Sequence, residues 1–215
     1  MELISDKKLS KIPVNDNGEN LVCVKDICLK IVIRLGAYIK KDGEKSCKDA
    51  CFVRAGVAQR LSLAQSLLPD GCRLMLRCGH RSLSLQKKRY LWAYGNLKKK
   101  HPHWNPEKLR DETSKCVAPL DIIPPHSTGG AIDLSIIGPD GRQLDMGTHL
   151  GRFNETTHTN SNKISGLARK NRNLLIKVMT RAGFINYPTE WWHWSYGDQY
   201  WAAALKKKSS IYGGI

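Results

Sequence analysis

The 215-residue sequence contains no run of about 20 uninterrupted apolar residues, the length that a membrane-spanning helix requires. Its nearest approach, residues 29–38, is broken by Lys30, Arg34 and Gly36. The first residues, Met1 to Lys8, also lack an apolar stretch after a basic start. No secretory signal is expected, and a cytoplasmic location follows as the expectation. Paired C-x-x-C units are missing too. The seven cysteines, Cys23, Cys28, Cys47, Cys51, Cys72, Cys78 and Cys116, are odd in number and irregularly spaced. Neither a disulfide framework nor a structural zinc ribbon is indicated, and free thiols are expected.

Acidic residues are scarce: 19 Asp and Glu stand against 35 Lys and Arg, a formal net charge of +16. A nucleic-acid binder is one class consistent with that balance. The basic residues are scattered, however, with short runs only at Lys98, Lys99, Lys100 and Lys206, Lys207, Lys208, and no zinc-finger or RNP motif accompanies them. The charge is therefore read as a solvated surface. Internal repeats and low-complexity tracts are absent. With 41% hydrophobic and 25% charged residues, the chain suits one soluble globular domain and is marginal for two.

Residues 1–20 are polar and turn-rich, and read as a flexible N-terminal arm ahead of a domain over 21–215. Residues 21–35 are β-branched and apolar enough for a strand or two. From Arg54 the period becomes helical, with Val57, Leu61, Ala64 and Leu68 on one face and Pro69, Asp70 and Gly71 as a stop. Residues 72–78 then read as a strand, ending at Gly79, His80 and Arg81. A second helix is expected over 84–97, followed by a loop-rich region marked by Pro102, Pro106 and Pro119. Residues 131–137 form the next buried strand. The longest helix is expected over 163–182, burying Ile164, Leu167, Leu174, Leu175, Val178 and Ala182, with Gly183 as its C-terminal cap. Residues 184–187 and 190–194 read as a closing hairpin.

Two segments carry chemistry. In the first, Pro125, His126, Ser127, Thr128, Gly129, Gly130, Ala131, Ile132 and Asp133 follow one another; the second is Glu190, Trp191, Trp192, His193 and Trp194. His126, Asp133 and His193 supply two imidazoles and a carboxylate, the inventory of a catalytic zinc site with one open position. Either histidine alone is more often a packed or surface residue, so the pattern rests on both together. Gly129 and Gly130 suit a chain that turns closely around an ion. Asp133 on an apolar strand needs a cation, either a metal or a neighbouring Lys or Arg. Glu190, three residues before His193, is placed to take a proton from water and return it to a leaving group. The three tryptophans are core residues first and pocket walls second.

These segments resemble the VanX-type D-alanyl-D-alanine dipeptidases, zinc peptidases grouped with D,D-carboxypeptidases. The family pattern S-x-H-x-x-G-x-A-x-D is matched at His126, Gly129, Ala131 and Asp133, and E-x-W-H at Glu190, Trp192 and His193. The likeness extends over residues 50–200 and includes an arginine after the helix and strand, here Arg81. It implies one zinc ion per chain on His126, Asp133 and His193, Glu190 as general base and then acid, and Arg81 as the oxyanion stabiliser. It also implies an α+β fold of hedgehog/DD-peptidase-like type: a small, mainly antiparallel sheet carrying the zinc site, packed by helices. The expected activity is hydrolysis of D-Ala-D-Ala or a related cell-wall peptide, with a small D-Ala-containing peptide as partner. A D,D-carboxypeptidase acting on longer muropeptides and a non-catalytic zinc-fold binding module are the alternatives. Pro124 replaces the serine that opens the family motif, and Leu150 and Gly151 replace a Phe-Asp pair whose aspartate suits a dipeptide's free amine. Glu155 and Asp145 are the candidate replacements for that aspartate.

Overall fold

The computed structural model describes residues 4, 6–34, 50–152 and 154–215. Cys47 and residues 35–38 of the apolar stretch lie outside the described residues. A one-turn helix α1 (Asp6–Leu9) precedes β1 (Leu21–Cys23), a short helix α2 (Val24–Ile27) and β2 (Val32–Ile33). Residues 21–35 thus hold two strands as expected, with a helical turn between them that their mixed periodicity hid.

Strand β3 (Phe52–Arg54) feeds helix α3 (Ala55–Ser66), whose expected stripe of Val57, Leu61 and Ala64 is fully buried. Strand β4 (Arg73–Cys78) leads to α4 (Leu83–Lys100), where the Ser82 side chain accepts a hydrogen bond from the Leu85 amide. The expected loop region contains a further helix, α5 (Pro106–Ser114). Its start was written in the chain: Asn105 caps the Lys108 amide, and Pro106 occupies the first turn, where its missing N–H costs nothing.

Strand β5 (Ala131–Ile137) follows a 3-10 turn at Pro125–Thr128. A second such turn, Glu155–Thr157, precedes α6 (Gly166–Arg181), which Ser165 caps. The buried face of α6 is Ala168, Arg172, Leu175, Val178 and Met179. Leu167, expected inside, is 61% exposed, because the helix turns Ala168 and Arg172 inward instead. Arg172 is accommodated there by donating to the carbonyls of Met146, Thr156 and His158. Gly183 ends the helix as anticipated, at φ +88°, with the Phe184 amide donating to the Met179 carbonyl. Strands β6 (Ile185–Asn186) and β7 (His193–Ser195) form the closing hairpin, and α7 (Gln199–Ala204) follows.

The main sheet has five strands in the order β2-β4-β5-β7-β6. Only the β2–β4 pair in it is parallel, so the sheet is mainly antiparallel as expected. Strands β1 and β3 form a separate antiparallel pair. Ile132, Leu134 and Ile136 of β5 join Trp192 and Trp194 in a core with residues of α3 and α6. Because side chains alternate along a strand, Asp133 and His193 point to the opposite face.

The segment read as a flexible arm is tied down over residues 13–19. The Asn15 and Asn17 amides donate to the Ser210 and Ile211 carbonyls, and Asp16 pairs with the buried Arg54 at 2.7 Å. Leu9 is buried against Tyr200, Trp201 and their neighbours. Arg54 lies 38 residues along the chain from Asp16 and the other partners about two hundred, beyond the reach of local patterning.

Candidate metal centre and its surroundings

Strand register assembles the first part of the site. Asp133 of β5 stands opposite His193 of β7 on one side and Cys78 of β4 on the other. The last pairing depends on a bulge between Leu76 and Cys78, which shifts the end of β4 by one residue. One row on one face of three strands thus carries Cys78, Asp133 and His193. Asp133 Oδ1 lies 3.1 Å from His193 Nδ1.

His126 comes from the 3-10 turn that enters β5. Its Nδ1 donates to the Gly79 carbonyl at 2.9 Å, which directs Nε2 toward Asp133 Oδ1 at 3.4 Å. Fixing one imidazole nitrogen on a backbone carbonyl so that the other is free for an ion is the usual outer-shell arrangement of a metal-binding histidine. The Gly79 turn is tight: a Cβ there would meet the Phe52 carbonyl oxygen at 2.5 Å. Gly129, at φ +71°, and Gly130 are required by close approaches to Leu21 and to the Tyr196 carbonyl. The expected reason, a turn around an ion, is replaced by packing.

The structure therefore brings His126, Asp133 and His193 together, and adds Glu190. The ligand atoms of Asp133, Glu190 and His193 lie within 4.8 Å of one another, as do those of Cys78, His126 and Asp133. Arg81 closes one side. Its guanidinium donates to Gln86 Oε1 at 2.9 Å and reaches Cys78 Sγ at 3.6 Å, and its amide donates to the His126 carbonyl. Trp191, Trp192 and Trp194 are all core residues, with Trp191 Nε1 donating to Thr148 Oγ1. Glu155 pairs with Lys163, and Asp145 accepts from the Gly147 amide, so neither joins the cluster around Asp133.

Electrostatics at the cluster favour positive charge. Burial opposes charging His126, yet Asp133 outweighs it and brings the imidazole up to about 10. Burial likewise opposes the charged form of Asp133, and the two histidines hold it well below the usual carboxylate range. Burial pushes Glu190 up to about 7, with the charge on Asp133 adding to the rise and the histidines and Arg81 opposing it. The Cys78 thiol is raised by burial but drawn down overall, to about 7, by Arg81 and His126.

A divalent ion fits this donor set. With His126 Nδ1–H engaged by Gly79, Nε2 faces a carboxylate oxygen, and a proton on Nε2 or a metal ion in that proton's place satisfies the contact. Bond lengths of about 2.0–2.3 Å around zinc imply ligand–ligand separations of roughly 3–4 Å. Asp133 meets both histidines at 3.1 and 3.4 Å. Sequence reasoning missed Cys78, Gly79 and Gln86. The C-terminal end of β4 beside Arg81 was their only signal, and the bulge that brings Cys78 opposite Asp133 has no sequence signature.

Comparison with known proteins matches residues 30–210 to the peptidase M15 family described as D-ala-D-ala dipeptidase. A D-alanyl-D-alanine dipeptidase of Synechocystis sp. is 39% identical over 90 residues, 37% of this chain and 36% of that protein. One from Enterococcus faecalis is 32% identical over 133 residues, 60% of this chain and 64% of its own length. The matched segments therefore span between about a third and just under two thirds of these relatives. Among solved structures, VanYB in complex with D-alanine-D-alanine has a TM-score of 0.45 at 15% identity, covering 73% of this chain and 79% of that one.

Proposed function

Because the chain belongs to the D-ala-D-ala dipeptidase family of M15 peptidases, we propose that it hydrolyses the peptide bond of D-Ala-D-Ala or of a related D-alanine-containing cell-wall peptide. The observation that carries this reading is the convergence of His126, His193 and Glu190 on Asp133. His126, Asp133 and His193 would hold one zinc ion, which supplies Lewis acidity and eases deprotonation of water.

The protein's own groups divide the remaining work. Glu190, half-buried and lifted toward neutrality by its surroundings, accepts the proton of the attacking water and delivers it to the leaving amine. Its position beside His193 and Asp133 keeps that proton next to the reacting carbonyl. Arg81 is aimed by Gln86 and by its own backbone contact with His126, and stabilises the oxyanion as the carbonyl becomes tetrahedral. The Gly79 carbonyl fixes the His126 tautomer. A longer substrate is the second reading. It is favoured by Pro124 and Gly151 at the positions of the family's recognition residues and by the pairing of Glu155, one candidate carboxylate for a free dipeptide amine, with Lys163.

The test is direct. Purified protein is assayed for bound metal and for D-alanine release from D-Ala-D-Ala and from a pentapeptide ending in D-Ala-D-Ala, alongside Glu190→Ala. The expected result is about one zinc per chain in both proteins, with release reduced by roughly 10²–10⁴-fold in the variant. Wild type without metal, or equal activity in both, overturns the proposal. The ratio of the two substrates decides between dipeptide and longer peptide.

A further inference from the structure

We propose that Cys78 is a further ligand for the same ion, a thiolate that competes with water for the one position left open by the imidazoles and the carboxylate. The inference rests on the reading of His126, Asp133 and His193 as metal ligands and goes beyond it.

Three independent observations place the sulfur there. The bulge at the end of β4 sets Cys78 directly opposite Asp133, in the same cross-strand row as His193. Cys78 Sγ lies with the ligand atoms of His126 and Asp133 in a group no wider than 4.8 Å. The residue is 5% exposed, and its sulfur faces the Arg81 guanidinium at 3.6 Å, a cation that stabilises an electron-rich sulfur. Its other polar contacts are the Gly79 carbonyl of the adjacent residue, a weak acceptor at 3.7 Å, and the His126 imidazole. A buried thiol whose sulfur shares a carboxylate and an imidazole is suited to a borderline-soft ion such as zinc. On binding, the S–H bond is exchanged for a metal–sulfur bond and one proton passes to solvent, with no change in oxidation state.

Among the described residues, Cys78 is the only cysteine in a group of metal-ligating side chains. The two such groups share Asp133, with Cys78 and His126 on one side and Glu190 and His193 on the other. An ion drawn toward Cys78 moves away from Glu190. The thiolate would therefore set how much of the bound ion stands next to the group that moves the proton. It would also make the centre sensitive to thiol-modifying reagents, as a site built only from imidazole and carboxylate is not.

Cobalt(II) in place of zinc provides a readout separate from activity. A thiolate ligand adds an intense near-ultraviolet sulfur-to-cobalt charge-transfer band to the weaker visible bands that nitrogen and oxygen ligands produce. The expected result is about one cobalt per chain, displaced by zinc, with a charge-transfer band that is lost in Cys78→Ser and retained in Cys116→Ser. One cobalt per chain with visible bands alone sinks the Cys78 assignment and leaves the metal centre standing. Failure to bind cobalt or zinc stoichiometrically sinks both. A band that survives Cys78→Ser assigns the sulfur elsewhere and also overturns the proposal. Should Cys78→Ser fail to fold, zinc-edge X-ray absorption of the wild-type protein decides alone, since a sulfur scatterer at about 2.3 Å is distinct from nitrogen or oxygen at about 2.0–2.1 Å.

Discussion

Arg81 shows how one side chain gains a task from its neighbours. It is partly exposed, on a chain with 35 basic residues, and by composition alone it would be one more solvated cation. Gln86 and Cys78 hold its guanidinium beside the ligand cluster, where its charge acts on Glu190 and His126. If it stabilises the oxyanion, Arg81→Ala should lower kcat by about 10²–10³-fold while zinc content stays at the wild-type level. Arg81→Lys should recover only part of the loss, because an ammonium group cannot reproduce the guanidinium's fixed geometry. Steady-state kinetics with parallel metal analysis measures both, and unchanged kcat in Arg81→Ala would remove this role.

At the scale of elements, the site depends on where β4 ends. The bulge after Leu76 and the tight turn at Gly79 together set the positions of Cys78, of the carbonyl that orients His126, and of Arg81. Gly79 tolerates no side chain, since a Cβ would lie 2.5 Å from the Phe52 carbonyl and 3.0 Å from that of Ala50, both backbone atoms. Gly79→Ala is expected to cost about 1–3 kcal/mol through the forced backbone shift. Zinc should bind more weakly in the same variant, because the backbone shift displaces the carbonyl that orients His126. Thermal unfolding with and without chelator separates the two effects. A variant that unfolds earlier yet retains zinc as tightly as wild type would show that the Gly79 carbonyl does not position His126.

Across the whole molecule, the two ends of the chain are joined through buried Arg54. It donates to the Glu19, Thr128 and Gly213 carbonyls and pairs with Asp16, while Glu19 receives the Tyr212 hydroxyl. Partial burial pushes Asp16 and Glu19 upward, but hydrogen bonds and Arg54 outweigh it and leave both below their ordinary values. A carboxylate with a depressed native pKa stabilises the fold at pH above its unfolded value, about 4, and this contribution is lost as pH falls through the native value. The Tm of wild type should therefore exceed that of Asp16→Asn at pH 6, and the gap should close on acidification below about pH 4. A gap that is constant with pH would mean that the pair contributes through packing alone. No helix among the described residues is long and apolar enough to cross a membrane.

Much of this was legible in the sequence because it is local. The apolar stripe of α3, the strand over 131–137, the Gly183 cap and the closing hairpin follow from side-chain period and from glycine's freedom at positive φ. His126, Asp133, Glu190 and His193 were legible as donor types, and alternation in Trp-His-Trp already puts His193 on the face opposite its neighbours. Helix α5 was present in Asn105 and Pro106 but masked by the prolines around it. What only the tertiary structure decided is which groups meet: Cys78 opposite Asp133, Gly79 behind His126, Gln86 on Arg81, and Arg54 joining residues near both termini. Strand register, a one-residue bulge and contacts between residues far apart in the chain determine these meetings, and a linear pattern does not encode them.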